Sequence, residues 1–562
     1  MTSSPSAPLY LIDAVGPFFR GHSEGLIDWS RTPWERFRRM SEEARREFFL
    51  NLRADIKSFS RTVSKIGYNA LILDDVFHLT DHPSYDDRTR KQISFYKKEF
   101  EHLLAIIRDE GLRIFLTMDL LYSVPAVRGR KWSSAKKRNQ FAADLLPRFL
   151  REFPEVSGVL LHFTNSRDSS TAVPSLWNRR SLNHFLRSVL PVFDSHNRLC
   201  ILRTWSPGKR PGCDLIWKNA AISRTLEGIT SKALILSFRH SETGFFRFTT
   251  VNRNFFATEF PAIVELQARR EHEGCGEFPS FVGYQSEKLA HQLKNVPHIA
   301  GISVSCQTGG RSAFGRLAFL DENAIWTEIN AFVMLRLFKY GESVEEAISR
   351  LPNVNNPMPL LELLRLSEEV VRELLYVPEF AACRFYLRRR RLPPLIGVYH
   401  DHLLVSASIK RLFQYAVSQP DSAIRSGETA LTHIRRMKML ALQCHLPESD
   451  IELMESTFDT LAFSRDYYFR PDSKVIRDDL EASVKRYRSK YHRNGVRRRF
   501  AVKLDLDPMP LNRRFIVLFS QWIWAKKPGF RVIDEMIKLR MLSLFSRFLR
   551  RSRPTWTPTI GE

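Results

Sequence analysis

The chain has 562 residues, and 43% of them are hydrophobic, which is the composition of a globular protein with room for two or three domains. Its six cysteines are scattered without a closely spaced pair, so we expect reduced thiols in a cytosolic protein rather than a disulfide framework or a zinc site. The first residues lack a basic stretch followed by a long apolar run, so we expect no secretory signal.

The net charge of +25 is concentrated near the C-terminus. Residues 484–562 carry 20 Lys and Arg against 5 Asp and Glu, which is more than half of the excess. Charge that is concentrated in this way bears on binding partners rather than on the fold.

The first half of the chain alternates short apolar runs with segments of helical periodicity. The runs are residues 9–19, 68–76, 112–118, 158–163, 199–204, 233–238, 261–265 and 299–304, and the helical segments between them include 34–64, 92–109, 136–153, 181–193 and 285–295. This alternation is typical of parallel βαβ units. Eight such units predict a closed (β/α)8 TIM barrel over residues 1–340, with a doubly wound sheet as the alternative.

After residue 324 the helical periodicity continues without strands, at 325–339, 343–351, 358–375, 405–416, 426–446 and 450–462. We therefore predict an all-α domain over residues 341–475.

Residues 476–562 are predicted to form a basic amphipathic tail. The apolar run 515–525 has only about half of the roughly 20 residues that span a bilayer, and 530–551 mixes apolar residues with Arg and Lys. This pattern is typical of a segment that lies on an anionic membrane surface, so the protein would be cytoplasmic with peripheral membrane attachment through residues 484–562. Alternatively, the segment packs on its own chain or on a partner. Nucleic acid is disfavoured because no RNA- or DNA-binding motif is present.

In a parallel barrel, functional side chains project from the C-terminal ends of the strands. Glu265 and Glu271 follow the seventh run, Asp75 the second and Glu242 the sixth, and these are our candidates for acid and base. Alternatively, Glu265 forms a structural ion pair with Arg203 or Arg239. Of Asp74 and Asp75, only one can face the interior, because side chains alternate along a strand.

Other polar and aromatic residues near the run ends are candidates for substrate binding. They are Arg203, Arg239, His162, Asn165, Trp205, Gln267, Arg269 and Gln307. The arginines suit an anionic sugar, and the aromatic rings are equally suited to sugar stacking and to a core. His78, Asp81 and His82 match no metal signature, and we expect neither a metal nor another cofactor.

Six segments resemble, in order and spacing, the catalytic barrel of the α-glucuronidases, family 67 of the glycoside hydrolases. They are GLRIFLTMDL, FPEVSGVLLHFTNS, CILRTWSPG, ALILSFRHSETGFFR, VELQARREHEG and WTEINAFVMLRLFKYGESVEEAI, and the similarity covers residues 9–375. VELQARREHEG is similar to the family's E-F-Q-x-x-x-E-Y-x-G segment, with Glu265, Gln267, Glu271 and Gly274 in register.

The resemblance implies a hydrolase that inverts at the anomeric carbon and uses paired carboxylates about 6.5–9.5 Å apart. It also implies that basic residues, here Arg203 and Arg239, hold the uronate carboxylate. However, Thr249 and Thr250 stand where the family has its general-acid Glu, and Gln307 lies where it has an Asp.

Two hypotheses follow. The first is a glycoside hydrolase that acts on a uronic-acid-containing or other acidic glycan. The second is a non-catalytic descendant that binds a glycan or a protein partner and docks on an anionic membrane through its tail. The sequence sets neither the substrate and linkage nor the oligomeric state.

Overall fold

The computed structural model describes residues 7–22, 30–120, 135–162, 179–204, 219–241, 244–307, 316–352, 356–383, 402–491 and 500–506, with short pieces at 354, 386–387, 390–391, 395 and 398–399. Within these residues, a parallel barrel is followed by a mainly helical region.

Eight strands form the barrel: β1 (Leu9–Asp13), β2 (Ala70–Leu73), β3 (Arg113–Asp119), β4 (Gly158–His162), β5 (Leu199–Arg203), β6 (Leu234–Arg239), β7 (Ala262–Gln267) and β8 (Ile299–Ser305). Each strand pairs in parallel with the next, and β1 also pairs with β8. The sheet is therefore closed, which confirms the predicted (β/α)8 barrel and excludes the doubly wound alternative.

The surrounding helices are α1 (Trp34–Arg39), α2 (Glu42–Ile66), α3 (Asp87–Asp109), α4 (Ala135–Glu152), α5 (Arg179–Ser195), α6 (Asn219–Thr225), α7 (Gly283–Leu293) and α8 (Ile325–Tyr340). The segment predicted as one helix over 34–64 is two helices, because Met40 is extended and Ser41 caps α2 by accepting a hydrogen bond from the backbone N–H of Ala44. Gly67, with φ of +112°, ends α2.

An apolar layer fills the barrel interior. Its members alternate along the strands and come from all eight of them: Leu9, Leu11, Ala70, Ile72, Phe115, Leu160, Ile201, Ile235, Ile263 and Ala300. At the seam between β1 and β8, Gly301 has φ of +138°, and a Cβ there would lie 1.8 Å from the carbonyl oxygen of Leu9. The barrel is a packed core, so a ligand can bind only at its ends.

The second region is mainly helical, as predicted, with α9 (Val344–Ser349), α10 (Pro357–Val370), a π-helical turn (Val371–Leu375), α11 (Pro378–Ala382), α12 (Ala407–Ala416), α13 (Pro420–Gln443), α14 (Glu448–Phe469) and α15 (Lys474–Lys490). It also contains five short strands, β9 (Tyr386–Leu387), β10 (Arg390–Arg391), β11 (Val398–Tyr399), β12 (His402–Ser406) and β13 (Ala501–Asp505). These strands were not predicted, because two to five residues are too few to show a periodicity.

The first part of the basic segment belongs to this region. Leu480, Val484 and Tyr487 of α15 are buried in the same core as Phe500 and Val502. The predicted boundary at residue 475 therefore falls inside α15. The predicted apolar run 515–525 and amphipathic helix 530–551 lie outside the described residues. Among the helices that are described, none is long and apolar enough to cross a membrane.

A buried polar contact joins the barrel to the helical region. Arg316, just before α8, makes two hydrogen bonds of 2.6 Å to the carboxylate of Asp450 at the start of α14. The indole N–H of Trp326 donates to the same carboxylate at 2.8 Å. Because all three side chains are buried, these charge-assisted bonds fix α14 against the barrel.

Candidate functional site at the barrel mouth

A layer of polar side chains lies directly above the apolar layer, at the C-terminal ends of the strands. Each strand supplies one member: Asp13, Asp74, Thr117, His162, Arg203, Ser237, Glu265 and Ser303. In the first seven strands it lies two positions after a residue of the apolar layer, and in β8 it lies three positions after Ala300, where the register with β7 shifts. Asp119, Arg239, Gln267 and Ser305 follow at the next interior positions. The mouth of the barrel therefore has an ionisable floor.

Glu265, one of our catalytic candidates, is buried in this floor. The Nε–H of Arg203 donates to both of its carboxylate oxygens at 2.9 Å, and the hydroxyl of Ser237 donates to Oε1 at 2.7 Å. The ion pair with Arg203, which the sequence left open, is thus present. These contacts are those of an ionised carboxylate, whose charge Arg203 stabilises.

Arg239 lies beside this pair, with its guanidinium 4.9 Å from the centre of the Phe245 ring. Burial and the nearby charge of Arg203 lower the pKa of Arg239 to about 10, and Glu265 and Glu271 partly offset this effect. The positive charges of Arg203 and Arg239 thus repel each other at the barrel mouth, and an anionic ligand group bound there would be stabilised by both.

His162 closes β4 and is buried among cations. Burial, together with Arg31 and Arg203, lowers its pKa well below the usual value of histidine, although Asp75 acts in the opposite direction. The imidazole is therefore neutral at pH 7 and can serve as a hydrogen-bonding group rather than as a cation.

The interior aspartate of the second strand is Asp74. Its carboxylate accepts hydrogen bonds from the hydroxyl of Thr117 at 2.6 Å and from the backbone N–H of Thr32 at 2.7 Å. Burial and the neighbouring Asp75 raise its pKa. Asp75, which we had named as a catalytic candidate, instead contacts the ring of His78 at 2.8 Å, and that ring stacks on Trp34.

Glu271 lies in the loop after β7 and is 22% exposed, with its carboxylate 3.2 Å from Nε2 of His272. It belongs to the rim rather than to the floor. Two residues further on, Glu273 is fully buried between Arg247 and Arg270 and accepts a hydrogen bond of 2.5 Å from the hydroxyl of Tyr376. These partners hold the pKa of Glu273 at about 2 despite its burial. The helical region thereby anchors the loop that carries Glu271.

Three predicted substrate-binding residues make buried contacts within the protein. Arg269 donates to the carbonyl oxygen of Cys275 at 2.8 Å and to the side-chain oxygen of Gln307 at 2.6 Å. Gln267 accepts a 3.5 Å contact from the backbone N–H of Glu271. All three side chains are at most 3% exposed, so they support the loops after β7 and β8.

Glu242, Asn165 and Trp205 lie outside the described residues. In the part of the chain that is described, no group of three or more His, Cys, Asp or Glu side chains is arranged to hold a metal ion.

Sequence reasoning missed Asp13, Asp119 and Arg31 as residues of this site, and of the adjacent pair Asp74 and Asp75 it selected Asp75, whereas Asp74 faces the interior. Asp13 could have been found from the alternation Leu9, Leu11, Asp13, which places it on the interior face of β1. Arg31, whose guanidinium donates to Asp119 at 2.9 Å, comes from the loop after β1, and no periodicity marks such a residue.

The sequence matches no known family model and no curated protein. Among solved structures, a family 138 glycoside hydrolase that targets pectin rhamnogalacturonan II aligns over 86% of this chain with 10% identity and a TM-score of 0.48, and this chain covers 60% of that protein. A family 5 glycoside hydrolase from Prevotella bryantii, in complex with a xyloglucan tetradecasaccharide, aligns over 50% of this chain and 86% of its own, with 11% identity and a TM-score of 0.34. A D-allulose 3-epimerase from Methylomonas sp. aligns over 60% of this chain and 99% of its own, with 10% identity and a TM-score of 0.34. Similarity at this level does not extend to ligand or activity.

Proposed function

We propose that the barrel mouth binds an acidic sugar, such as a uronic acid, and that the protein is a glycoside hydrolase of uronic-acid-containing glycans. The observation that carries the proposal is the arrangement of Arg203, Arg239 and Glu265 on one floor. Arginine forks bind carboxylates through two parallel hydrogen bonds, and an incoming uronate would relieve the repulsion between the two guanidinium groups.

Glu265 is the carboxylate best placed to act on a bound sugar. Arg203 and Ser237 orient it and stabilise its charge, so it can accept a proton from water or stabilise positive charge at the anomeric carbon. Glu271 at the rim is the second of our original candidates and contacts the part of a glycan that extends out of the mouth.

The test is thermal stabilisation by D-glucuronate and by D-glucose, which differ only in the carboxylate. We expect D-glucuronate alone to raise the Tm, because a ligand at 100 times its Kd stabilises the folded state by about 2.7 kcal/mol. Arg239→Gln should abolish the shift, and Arg239→Lys, which keeps the charge but loses the fork, should retain part of it. Equal shifts with both sugars would contradict an acidic-sugar site.

The alternative is a non-catalytic descendant that binds the same sugar. It is favoured by the threonines at the position of the family's general acid, because Thr249 donates its hydroxyl to the carbonyl oxygen of Phe246 and carries no acidic proton. Product analysis with glucuronate-containing oligosaccharides separates the two readings. Stabilisation with cleavage supports the hydrolase, and stabilisation without cleavage supports the binding protein.

We further propose that the basic C-terminal segment contacts an anionic surface. The last turns of α15 bury Val484 and Tyr487 and leave Lys485, Arg486 and Lys490 exposed, so its basic face is open to solvent. Each basic residue near an anionic membrane contributes about 1 kcal/mol to binding.

Deletion of residues 513–562, which removes 11 Lys and Arg against 3 Asp and Glu, is expected to reduce co-sedimentation with phosphatidylserine-containing vesicles by at least about ten-fold at low salt. Pure phosphatidylcholine vesicles serve as the neutral control. If the truncated chain binds the anionic vesicles as tightly as the full chain does, the membrane role of this segment is wrong.

A further inference from the structure

Asp13 is an acidic side chain of the mouth whose position differs from that of the other carboxylates. It ends β1, directly above Leu11 of the apolar layer, and keeps some exposure to the mouth. Its Oδ1 accepts a hydrogen bond from the backbone N–H of Cys306 at 2.8 Å, and its Oδ2 accepts one from Gln307 at 3.1 Å. These bonds fix the carboxyl group across the seam with β8.

The surroundings of Asp13 disfavour a negative charge on its carboxyl group next to that of Asp74. Asp74 faces it from β2, Arg203 from β5, the Cys306 thiol from the end of β8 and the Tyr68 hydroxyl from the segment before β2. The two neutral groups do not compensate a carboxylate, and Arg203 is already bound to Glu265. Burial and Asp74 raise the pKa of Asp13 to about 7, although the two backbone N–H groups and Arg203 act in the opposite direction.

Asp13 and Glu265 are separated by one strand. Leu11 of β1 and Glu265 of β7 both pair with Ser303 of β8, and Asp13 is the next interior position after Leu11. Because neighbouring strands are about 4.8 Å apart and each strand residue advances about 3.3 Å, Leu11 stands roughly 10 Å from Glu265 across β8, and Asp13, two residues further along β1, stands roughly 12 Å from it, backbone to backbone. This spacing accommodates the separation of about 6.5–9.5 Å that leaves room for a water molecule between an acid and a base.

We propose that Asp13 is the proton donor of the hydrolysis and that Glu265 is its partner base. The inference rests on the proposed function. The Asp13 carboxylic acid transfers its proton to the glycosidic oxygen as the bond from that oxygen to the anomeric carbon breaks, and the bonding electron pair remains on the oxygen. A water molecule adds to the anomeric carbon and gives a proton to Glu265. Proton exchange with solvent then restores both groups, so one water is consumed in each cycle.

The first arm of the test is the infrared difference spectrum of wild type minus Asp13→Asn, titrated from pH 5.5 to 8.5. We expect a carboxylic-acid C=O band in the wild type that disappears with a midpoint near pH 7. Asp74→Asn is a second variant, because removal of the adjacent negative charge should move this midpoint to lower pH. It also keeps the test decisive if Asp13→Asn, which offers one acceptor to two backbone donors, fails to fold.

The second arm compares methyl and 4-nitrophenyl α-D-glucuronide as substrates. In Asp13→Asn, loss of the general acid should lower turnover of the methyl glycoside by about 10²- to 10⁴-fold. Turnover of the nitrophenyl glycoside should fall much less, because nitrophenolate leaves without a proton. Wild-type turnover of the methyl glycoside should decline above about pH 7 as Asp13 ionises.

The outcomes separate this inference from the proposed function. Wild-type hydrolysis with no protonated Asp13 at pH 6, or an equal loss on both glycosides, overturns the role of Asp13 alone. A protonated Asp13 in a protein that hydrolyses neither glycoside overturns the proposed hydrolysis, and the role of Asp13 with it. A carboxylic-acid band that disappears near pH 7, together with a selective loss of turnover on the methyl glycoside, supports both the role of Asp13 and the proposed hydrolysis.

Discussion

Glu265→Gln is expected to abolish hydrolysis of glucuronate-containing substrates while it preserves or tightens their binding. Glutamine has nearly the same shape but cannot take a proton from water, so turnover should fall by at least about 10²-fold. Binding should respond in the opposite direction, because Arg203 would lose its partner carboxylate and become available to the carboxylate of the sugar. The measurements are turnover by product analysis and affinity by calorimetry with D-glucuronate.

This opposite response distinguishes a catalytic role of Glu265 from a purely structural one, in which binding and turnover would fall together with stability. Ser237→Ala is the matched control, since it removes one hydrogen bond to Oε1 and leaves the carboxylate and Arg203 in place. We expect it to leave the affinity for D-glucuronate unchanged, because Arg203 keeps its partner carboxylate, and to lower turnover by less than Glu265→Gln does. Glu271→Gln tests the rim in parallel. Unchanged turnover in Glu265→Gln and Glu271→Gln would show that neither residue is the catalytic carboxylate.

Arg465→Met should destabilise the helical region by more than about 4 kcal/mol, the largest stability effect that we expect from a single change outside the barrel. Arg465 of α14 is 1% exposed and donates to the carbonyl oxygens of Leu374 at 2.9 Å and Tyr376 at 2.6 Å, and to the Ser426 hydroxyl at 2.7 Å. It also donates to the carbonyl oxygens of Glu373 and Ala423. Its guanidinium thus donates hydrogen bonds to the backbone carbonyl oxygens at the end of the π-helical turn and to acceptors on one face of α13.

Methionine would fill much of the volume but remove all five hydrogen bonds of the guanidinium, each a bond from a charged donor that contributes about 1.5–3 kcal/mol, and only the carbonyl oxygens of Glu373 and Ala423 would keep a contact with the Ser426 hydroxyl. Apolar replacement of a buried ion pair can be neutral when both charged partners are removed, but here the acceptors belong to the backbone and remain. Chemical denaturation followed by circular dichroism measures the change. Arg470→Met, at the residue that follows α14, is the matched control, because its ion pair with Asp466 is exposed and should contribute less than about 1 kcal/mol. A loss of stability that is equal in the two variants would contradict this role of Arg465.

The destabilisation caused by Arg465→Met should also extend to the loops at the barrel mouth. Tyr376, whose carbonyl oxygen binds Arg465, donates its hydroxyl to Glu273 and accepts from the backbone N–H of Arg247. These contacts anchor the loops after β6 and β7. Hydrogen exchange at residues 269–277 should therefore rise in Arg465→Met and remain unchanged in Arg470→Met.

The succession of parallel strands and helices could be predicted from the sequence, because each strand and helix carries its own local pattern. Runs such as Leu234–Arg239 and Ala262–Gln267 are buried and bounded by polar residues, and their alternation with amphipathic helices restricts the sheet to parallel pairing. The same reasoning located Glu265, Arg203, Arg239 and His162 at strand ends. It also predicted the mainly helical nature of the region after residue 341.

Which of these polar residues share the floor of the mouth could not be predicted from local patterns and became clear from the folded barrel. The choice between Asp74 and Asp75 depends on the exact phase of β2, and a shift of one residue would exchange their sides. The pairing of Glu265 with Arg203 depends on the parallel packing of β5, β6 and β7, and the approach of Asp13 to the backbone of Cys306 depends on barrel closure. These contacts join residues 62 and 293 positions apart in the chain. The raised pKa of Asp13 follows from the folded barrel, since burial beside Asp74 exists only there, whereas local periodicity is already present in the unfolded chain.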